Sequence, residues 1–167
     1  MEKEIKYETL AELSKEDKYK AIIPQIEELI EGESDLTANL ANISSVLKYT
    51  FNNISWVGFY ITDKAEKGVL KLGPFQGKPA CTRLLYGKGV CGTAAERKVT
   101  VIVEDVNAFP GHVFCDSGSK SEIVVPLVKE GTVIAVLDID SHEYSAFDET
   151  DSKYLEEIIT KILFVFD

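Results

Sequence analysis

The stretch Ser121–Asp140, SEIVVPLVKEGTVIAVLDID, carries the clearest structural signal in the sequence. β-Branched and apolar residues dominate its two halves, and this composition predicts strands at 122–128 and 132–139. The polar segment between them, Lys129-Glu130-Gly131, is typical of a tight turn. The two strands are therefore expected to pair as an antiparallel hairpin within a larger antiparallel sheet.

The hairpin also brings acidic side chains together. Asp138 and Asp140 are two residues apart at the end of the second strand, so they point to the same face of the sheet. Pairing through the turn places Glu122, which begins the first strand, near the same sheet end. Three carboxylates in one place predict either a cation site or a shared proton with a raised pKa. A solvated strand end is the alternative interpretation.

Outside the hairpin, the first third of the chain and its end are predicted to be helical. Apolar residues recur at helical spacing at 22–30, 36–47 and 155–163. Ser14–Asp17 resembles a capping box, and Pro24 is expected to kink or restart the first helix. The segment 32–35 (GESD) is expected to break the chain and cap the second helix, and Asp148 with the acidic residues after it is expected to open the last. Further strands are predicted at 54–61, 69–72, 81–85 and 100–104. The order predicts one α+β domain over residues 1–167, with helices on one face of the sheet.

Composition narrows the classes of partner and location. The 167 residues carry a formal net charge of -10, which repels polyanions, so neither nucleic acid nor an anionic membrane is an expected partner. No apolar run approaches the length of a membrane span, and the chain begins with charged residues. We therefore expect a cytoplasmic protein whose cysteines are reduced at rest.

Three cysteines, Cys81, Cys91 and Cys115, lie among glycine- and proline-rich loops between residues 73 and 116. Cys91 opens a short predicted helix, whose N-terminus would lower the pKa of the thiol. His112 lies three residues before Cys115 and is a candidate to ionise it. Packing of a small apolar side chain is the alternative for each cysteine. On these grounds alone, Cys91 ranks first as a nucleophile.

Two other kinds of site are disfavoured. The cysteines are ten and twenty-four residues apart and form no Cys-x-x-Cys pair, which argues against structural zinc. The glycine-lysine segments at 77–78 and 87–89 lack the spacing of a phosphate-binding loop. Trp56 and Tyr60, four residues apart on one strand face, are candidates to line an apolar slot for a thioether or methyl group, although core packing explains them equally well.

Five ordered motifs in the chain resemble free methionine-R-sulfoxide reductase, a family of GAF-domain enzymes. They are 73–81 (GPFQGKPAC), 87–92 (GKGVCG), 109–116 (FPGHVFCD), 121–127 (SEIVVPL) and 137–141 (LDIDS). The resemblance implies a six-stranded, mostly antiparallel sheet flanked by N-terminal helices and a C-terminal helix, with a pocket for one free amino acid. The sequence departs from the family pattern at two positions. Phe114 is bulkier than the residue expected there, and His142 stands where proline is expected.

The resemblance also implies roles for the candidate residues. Cys115 becomes the nucleophile, and Cys81 and Cys91 become the thiols that resolve its oxidised form. Glu122, Asp138 and Asp140 are then expected to hold the substrate and assist loss of its oxygen. The implied reaction converts free methionine sulfoxide to methionine through a cysteine sulfenic acid and a disulfide, which thioredoxin would reduce.

The same resemblance requires no metal or organic cofactor, and it leaves pairing into a homodimer open. A non-catalytic GAF module that senses a small ligand or an oxidant is the alternative function. A zinc-stabilised interaction domain is a third.

Overall fold

The computed structural model describes residues 6–113 and 115–166, and this part of the chain has the expected α+β architecture. Its helices are α1 Tyr7–Leu10, α2 Lys15–Ile30, α3 Leu36–Thr50, α4 Gly89–Arg97 and α5 Glu149–Ile162. Its strands are β1 Ile54–Thr62, β2 Val69–Gln76, β3 Arg83–Leu85, β4 Val101–Val103, β5 Ser121–Lys129 and β6 Thr132–Ser141. None of these helices is both long and apolar enough to cross a membrane.

The described strands form one antiparallel sheet in the order β3-β2-β1-β6-β5-β4. The predicted hairpin is confirmed: β5 and β6 pair up to Lys129 opposite Thr132, leaving a two-residue loop. Glu130 and Gly131 both have positive φ, at 50° and 77°. Positive φ at both central residues is the property of the hairpin turn whose twist matches the strands.

Helices α2, α3 and α5 cover one face of the sheet. α3 packs on β1 and β2, α5 packs on β5, and α2 lies against α3 and α5. The buried residues of this face are almost entirely apolar, with Phe59, Val125 and Leu137 from the sheet meeting Ile43 and Ile158 from the helices. The caps form as predicted, because the side chains of Ser14, Asp35 and Asp148 accept backbone hydrogen bonds at the starts of the three helices.

The prediction that all helices lie on one face is wrong for α4. This helix packs against β5 and β6 on the opposite face, beside a second cluster that includes Trp56, Tyr60 and Val124. Gly92 lets α4 lie close to the end of β3, because a Cβ at this position would lie 2.1 Å from the carbonyl oxygen of Leu85. The nine-residue α4 buries mostly small residues, so its sequence gives no signal for the face of the sheet that it covers.

Three local predictions also need correction. β2 continues past Leu72 to Gln76, because its pairing with β1 extends that far. β3 begins at Arg83, so Cys81 lies in the loop before it. Pro24 neither ends nor restarts α2; it is exposed, and the carbonyl that loses its helical partner there can meet water.

Candidate active site

A pocket lies between the sheet and α4, on the face opposite the large helices. Strands β1, β5 and β6 form its floor, the start of α4 forms one wall, and residues 77–82, 112–113 and 115–120 close it. Its cavity volume is about 40 Å³, which is room for about one water molecule. Seven of the eight residues that the sequence nominated line it: Trp56, Tyr60, Cys91, Cys115, Glu122, Asp138 and Asp140. The eighth, Cys81, is not among the lining residues but is bonded to Cys115.

The three predicted carboxylates meet in this pocket. Glu122 on β5 pairs with Asp140 on β6, and Val124 pairs with Asp138, so the three acids stand on neighbouring positions of one sheet face. Glu122 and Asp138 are buried. The alternative of a solvated strand end is therefore wrong, because α4 and the loops remove these carboxylates from water.

Burial is the main cause of the unusual titration of these groups. It raises the pKa of Glu122, Asp138 and Asp140 well above their usual values, and the nearness of the acids to one another raises them further. Asp138 Oδ1 is buried and has no hydrogen-bond partner among the described residues. The trio therefore holds protons at a pH where exposed carboxyl groups are ionised.

Cys91 lies in the first turn of α4, as predicted, but the expected lowering of its pKa is wrong. Its Sγ is buried, 4.0 Å from Glu122 Oε1. Burial first, and then Asp138 and Glu122, raise the pKa of the thiol well above its usual value. Desolvation and two adjacent carboxyl groups outweigh the helix N-terminus, which acts only through partial charges.

Cys81 and Cys115 form a disulfide bond, so they are not the reduced thiols that the sequence led us to expect. The bond joins the loop before β3 to the loop before β5, across 34 residues of sequence, and both cysteines are half-buried. Cys91 is the free thiol of the described residues. Of the two departures from the family pattern, Phe114 lies outside the described residues. The other, His142, is hydrogen-bonded through Nε2 to Asp116 Oδ2 at 2.9 Å.

Trp56 and Tyr60 form an aromatic wall, with ring centroids 6.0 Å apart. Trp56 Nε1 donates to the carbonyl of Lys78, and the Tyr60 hydroxyl donates to the carbonyl of Cys81, each at 3.0 Å. Gly77 has a φ of +141°, and a Cβ there would lie 2.4 Å from Trp56. Both aromatic side chains are thus hydrogen-bonded to the loop that carries Cys81.

The pocket also contains polar residues that the sequence did not nominate for it. They are Asp116, Ser119, Lys78 and Lys88. His112 also lines the pocket, and the sequence nominated it only as a candidate to ionise Cys115. His112 Nε2 lies 3.1 Å from Glu122 Oε2, and both side chains are buried. The sequence placed His112 near Cys115, and the Pro-Gly pair before it was the one available sign that a turn directs its side chain.

One set of side chains in the described part of the chain has the geometry to hold a metal ion. Ligand atoms of Cys91, Glu122 and Asp138 lie within 4.8 Å of one another. Since the pKa of each group is raised, a cation would first have to displace their protons. That the reaction needs no cofactor stays a prediction.

Comparison with known proteins gives the family. The GAF domain model matches residues 40–167. The chain is 53% identical over 146 residues to GAF domain-containing protein A of Dictyostelium discoideum, covering 87% of this chain and 90% of that protein. It is 44% identical over 151 residues to the free methionine-R-sulfoxide reductase of Saccharomyces cerevisiae, covering 87% and 84%. The chain belongs to the free methionine-R-sulfoxide reductase family of GAF domains.

A solved structure agrees with this assignment. The free methionine-R-sulfoxide reductase of Neisseria meningitidis, determined in complex with its substrate, has a TM-score of 0.89 to this GAF domain and 47% sequence identity. The match covers 93% of this chain and 92% of that one. The resemblance carried by the five motifs is therefore confirmed.

Proposed function

We propose that this GAF domain reduces free methionine-R-sulfoxide to methionine, with Cys115 as its nucleophile. The observation that carries the proposal is the Cys81–Cys115 bond beside a pocket that buries Glu122, Asp138 and Asp140. A thiol pair able to cycle between dithiol and disulfide, next to buried acids, is what sulfoxide reduction needs. The yeast and Neisseria relatives, named as reductases of this substrate, support the same activity.

The reaction is written in three balanced steps. The Cys115 thiol attacks the sulfoxide sulfur, the oxygen passes to the cysteine, and methionine and a cysteine sulfenic acid result. A second thiol then attacks the sulfenic sulfur, forming a disulfide and releasing water. A reduced dithiol protein, for which thioredoxin is our candidate, exchanges with this disulfide and restores both thiols.

The acids serve the first step in two ways. A buried carboxyl that keeps its proton at neutral pH can donate it to the sulfoxide oxygen as the S–O bond breaks. Asp138 Oδ1, which lacks a hydrogen-bond partner among the described residues, offers an acceptor for the ammonium group of a free amino acid. Trp56 and Tyr60 then form the apolar wall for the methyl group and thioether chain.

The small cavity is what we expect of the enzyme after methionine has left and the disulfide has formed. About 40 Å³ does not admit an amino acid, and Cys115 is not a thiol while it is bonded to Cys81. We assign this form to the oxidised enzyme. Reduction of the bond frees the loops 77–82 and 105–120 to admit substrate and regenerates the nucleophile at the same time.

Cys81 is our first choice for the resolving thiol. It is bonded to Cys115 and half-buried, so an external reductant can reach the pair. Cys91 is buried and its pKa is raised, which makes it a poorer attacking group at neutral pH. A role for Cys91 as a second resolving thiol stays a prediction.

The test is turnover of separated sulfoxide epimers, as free amino acid and within a peptide. The wild-type protein with dithiothreitol should reduce only the free R epimer, and Cys115→Ser should be inactive. Cys81→Ser should complete one turnover but lose recycling by thioredoxin, with Cys91→Ser as the matched control that retains recycling. Full activity in Cys115→Ser would refute its assignment.

The alternative of an oxidant-sensing module makes a different prediction for the same assay. Peroxide would form the Cys81–Cys115 bond, and neither sulfoxide epimer would be consumed. Analytical ultracentrifugation of the same samples tests whether the protein forms the homodimer that the family resemblance leaves open.

A further inference from the structure

A Pro-Gly turn delivers His112 into the pocket. The backbone N–H of His112 donates to the carbonyl of Phe109 at 3.3 Å, and Gly111 has a φ of +71°. Proline at the second position and a positive-φ glycine at the third are the signature of a type II turn. Here the turn directs the imidazole inward, and only 6% of that side chain is exposed.

One ring nitrogen of the imidazole contacts the Glu122 carboxyl group. His112 Nε2 lies 3.1 Å from Glu122 Oε2, while Glu122 Oε1 faces Cys91 Sγ at 4.0 Å. Burial lowers the pKa of His112 and raises the pKa of Glu122, so both groups favour their neutral forms. Burial therefore favours a hydrogen bond between neutral groups over an ion pair at this contact.

The chain contains a second histidine–carboxylate contact with the opposite surroundings. His142 Nε2 lies 2.9 Å from Asp116 Oδ2, but 49% of the His142 side chain is exposed. A contact of this kind at the surface contributes little, because water replaces it readily. His142 is thus a matched control for His112.

We propose that His112 is a positioning residue that holds the Glu122 carboxyl in the pocket and couples its orientation to the loop that carries Cys115. The inference rests on the proposed function, since it concerns how that site is assembled. His112 and Cys115 lie three residues apart on one loop. The position of this loop therefore sets the position of the Cys115 sulfur and that of the His112 ring together. Without His112, Glu122 loses its contact at Oε2 and the loop loses an attachment to β5.

The test is a double-mutant cycle with three replacements of His112. His112→Leu removes the contact, His112→Gln puts an amide nitrogen near the place of Nε2, and His112→Asn is too short to reach Glu122. We expect His112→Leu and His112→Asn to lower kcat/KM by about tenfold to a hundredfold. His112→Gln should recover most of this loss, and the control His142→Gln should stay within about twofold of wild type.

Repeating the His112 replacements in the Glu122→Gln variant tests whether His112 acts through Glu122. In Glu122→Gln, the further change His112→Leu should alter kcat/KM by less than about twofold. Equal and additive losses in both backgrounds, or equal activity in His112→Gln and His112→Asn, would overturn the inference. If His112→Leu does not fold, the comparison of the Gln and Asn variants decides alone.

A readout without turnover separates this inference from the proposed function. The ring ¹⁵N signal of His112 Nε2 should shift in Glu122→Gln, while the signals of His142 stay unchanged. Absence of turnover in the wild type would refute the proposed function and leave this coupling measurable. An unchanged Nε2 signal with full wild-type turnover would refute the coupling alone.

Discussion

Two buried aspartates lie in opposite surroundings in this fold. Asp151 in α5 is 3% exposed and accepts from Lys15 Nζ at 2.6 Å, from the Tyr19 hydroxyl at 2.7 Å and from the backbone of Asp148 at 2.9 Å. Asp138 in β6 is 6% exposed, and its Oδ1 has no partner among the described residues. Its nearest titratable neighbours are another acid and a thiol.

The difference separates an acid that stabilises the fold from one that the proposed function assigns to the substrate. On the helix face, each lone pair of Asp151 that the fold buries is matched to a donor, and the cluster ties α2 to α5. On the pocket face, the Asp138 side chain is buried beside Glu122 and Cys91, and its Oδ1 has no partner among the described residues, which costs stability and leaves an acceptor for an incoming group. The predictions below test this contrast in order of expected size.

The largest effect is expected from Asp138→Asn. Turnover should fall by about a hundredfold or more, because the variant can neither ionise for the ammonium group nor share a carboxyl proton. The free energy of unfolding at pH 7 should rise by about 1 kcal/mol, or about 2–4 °C in Tm, because a buried ionisable group is replaced by a neutral one. Turnover and thermal unfolding of one preparation measure both, and a loss of stability would contradict the contrast.

Reduction of the disulfide should have the next largest effect. Opening a bond that spans 34 residues should lower the free energy of unfolding by about 4 kcal/mol, from restored freedom of the unfolded chain. Urea unfolding with and without dithiothreitol measures it. The double variant Cys81→Ser/Cys115→Ser is the control, and it should not respond to dithiothreitol.

On the helix face, Asp151→Asn should show the reverse of the Asp138 result. Loss of charge-assisted hydrogen bonds to Lys15 and Tyr19 should cost about 2 kcal/mol of stability, or about 4–8 °C in Tm. Turnover of the folded enzyme should stay within about twofold of wild type, because the cluster lies on the other side of the sheet. A large fall in kcat would show that the two faces are coupled.

The smallest effect concerns pH. The pKa of Asp138 is raised in the folded state above its usual 3.8, so below that value both states hold the proton. As pH rises above it, the unfolded chain releases a proton that the folded chain keeps, and stability falls up to the folded pKa. The stability advantage of Asp138→Asn should therefore grow steadily as the pH rises from 4 towards 7. A constant difference would show that Asp138 is ionised in the fold.

Much of the architecture was predictable because it depends on short-range patterns. The β5–β6 hairpin follows from two β-branched runs and a polar turn, and the helix caps follow from Ser14, Asp35 and Asp148 at the starts of apolar periodicities. The meeting of Glu122 with Asp138 and Asp140 followed from the hairpin register alone. The five motifs pointed to the family, which the comparisons confirm.

The sequence by itself therefore determined most of the elements, the pairing of β5 with β6, and the shared sheet face of Glu122, Asp138 and Asp140. Only the tertiary structure decided that α4 covers that face, that Cys81 rather than Cys91 is bonded to Cys115, and that His112 contacts Glu122. It also decided the pKa of Cys91, which the helix N-terminus alone would lower and burial raises. These outcomes depend on desolvation and on segments far apart in the chain meeting in space, and neither is encoded in local spacing.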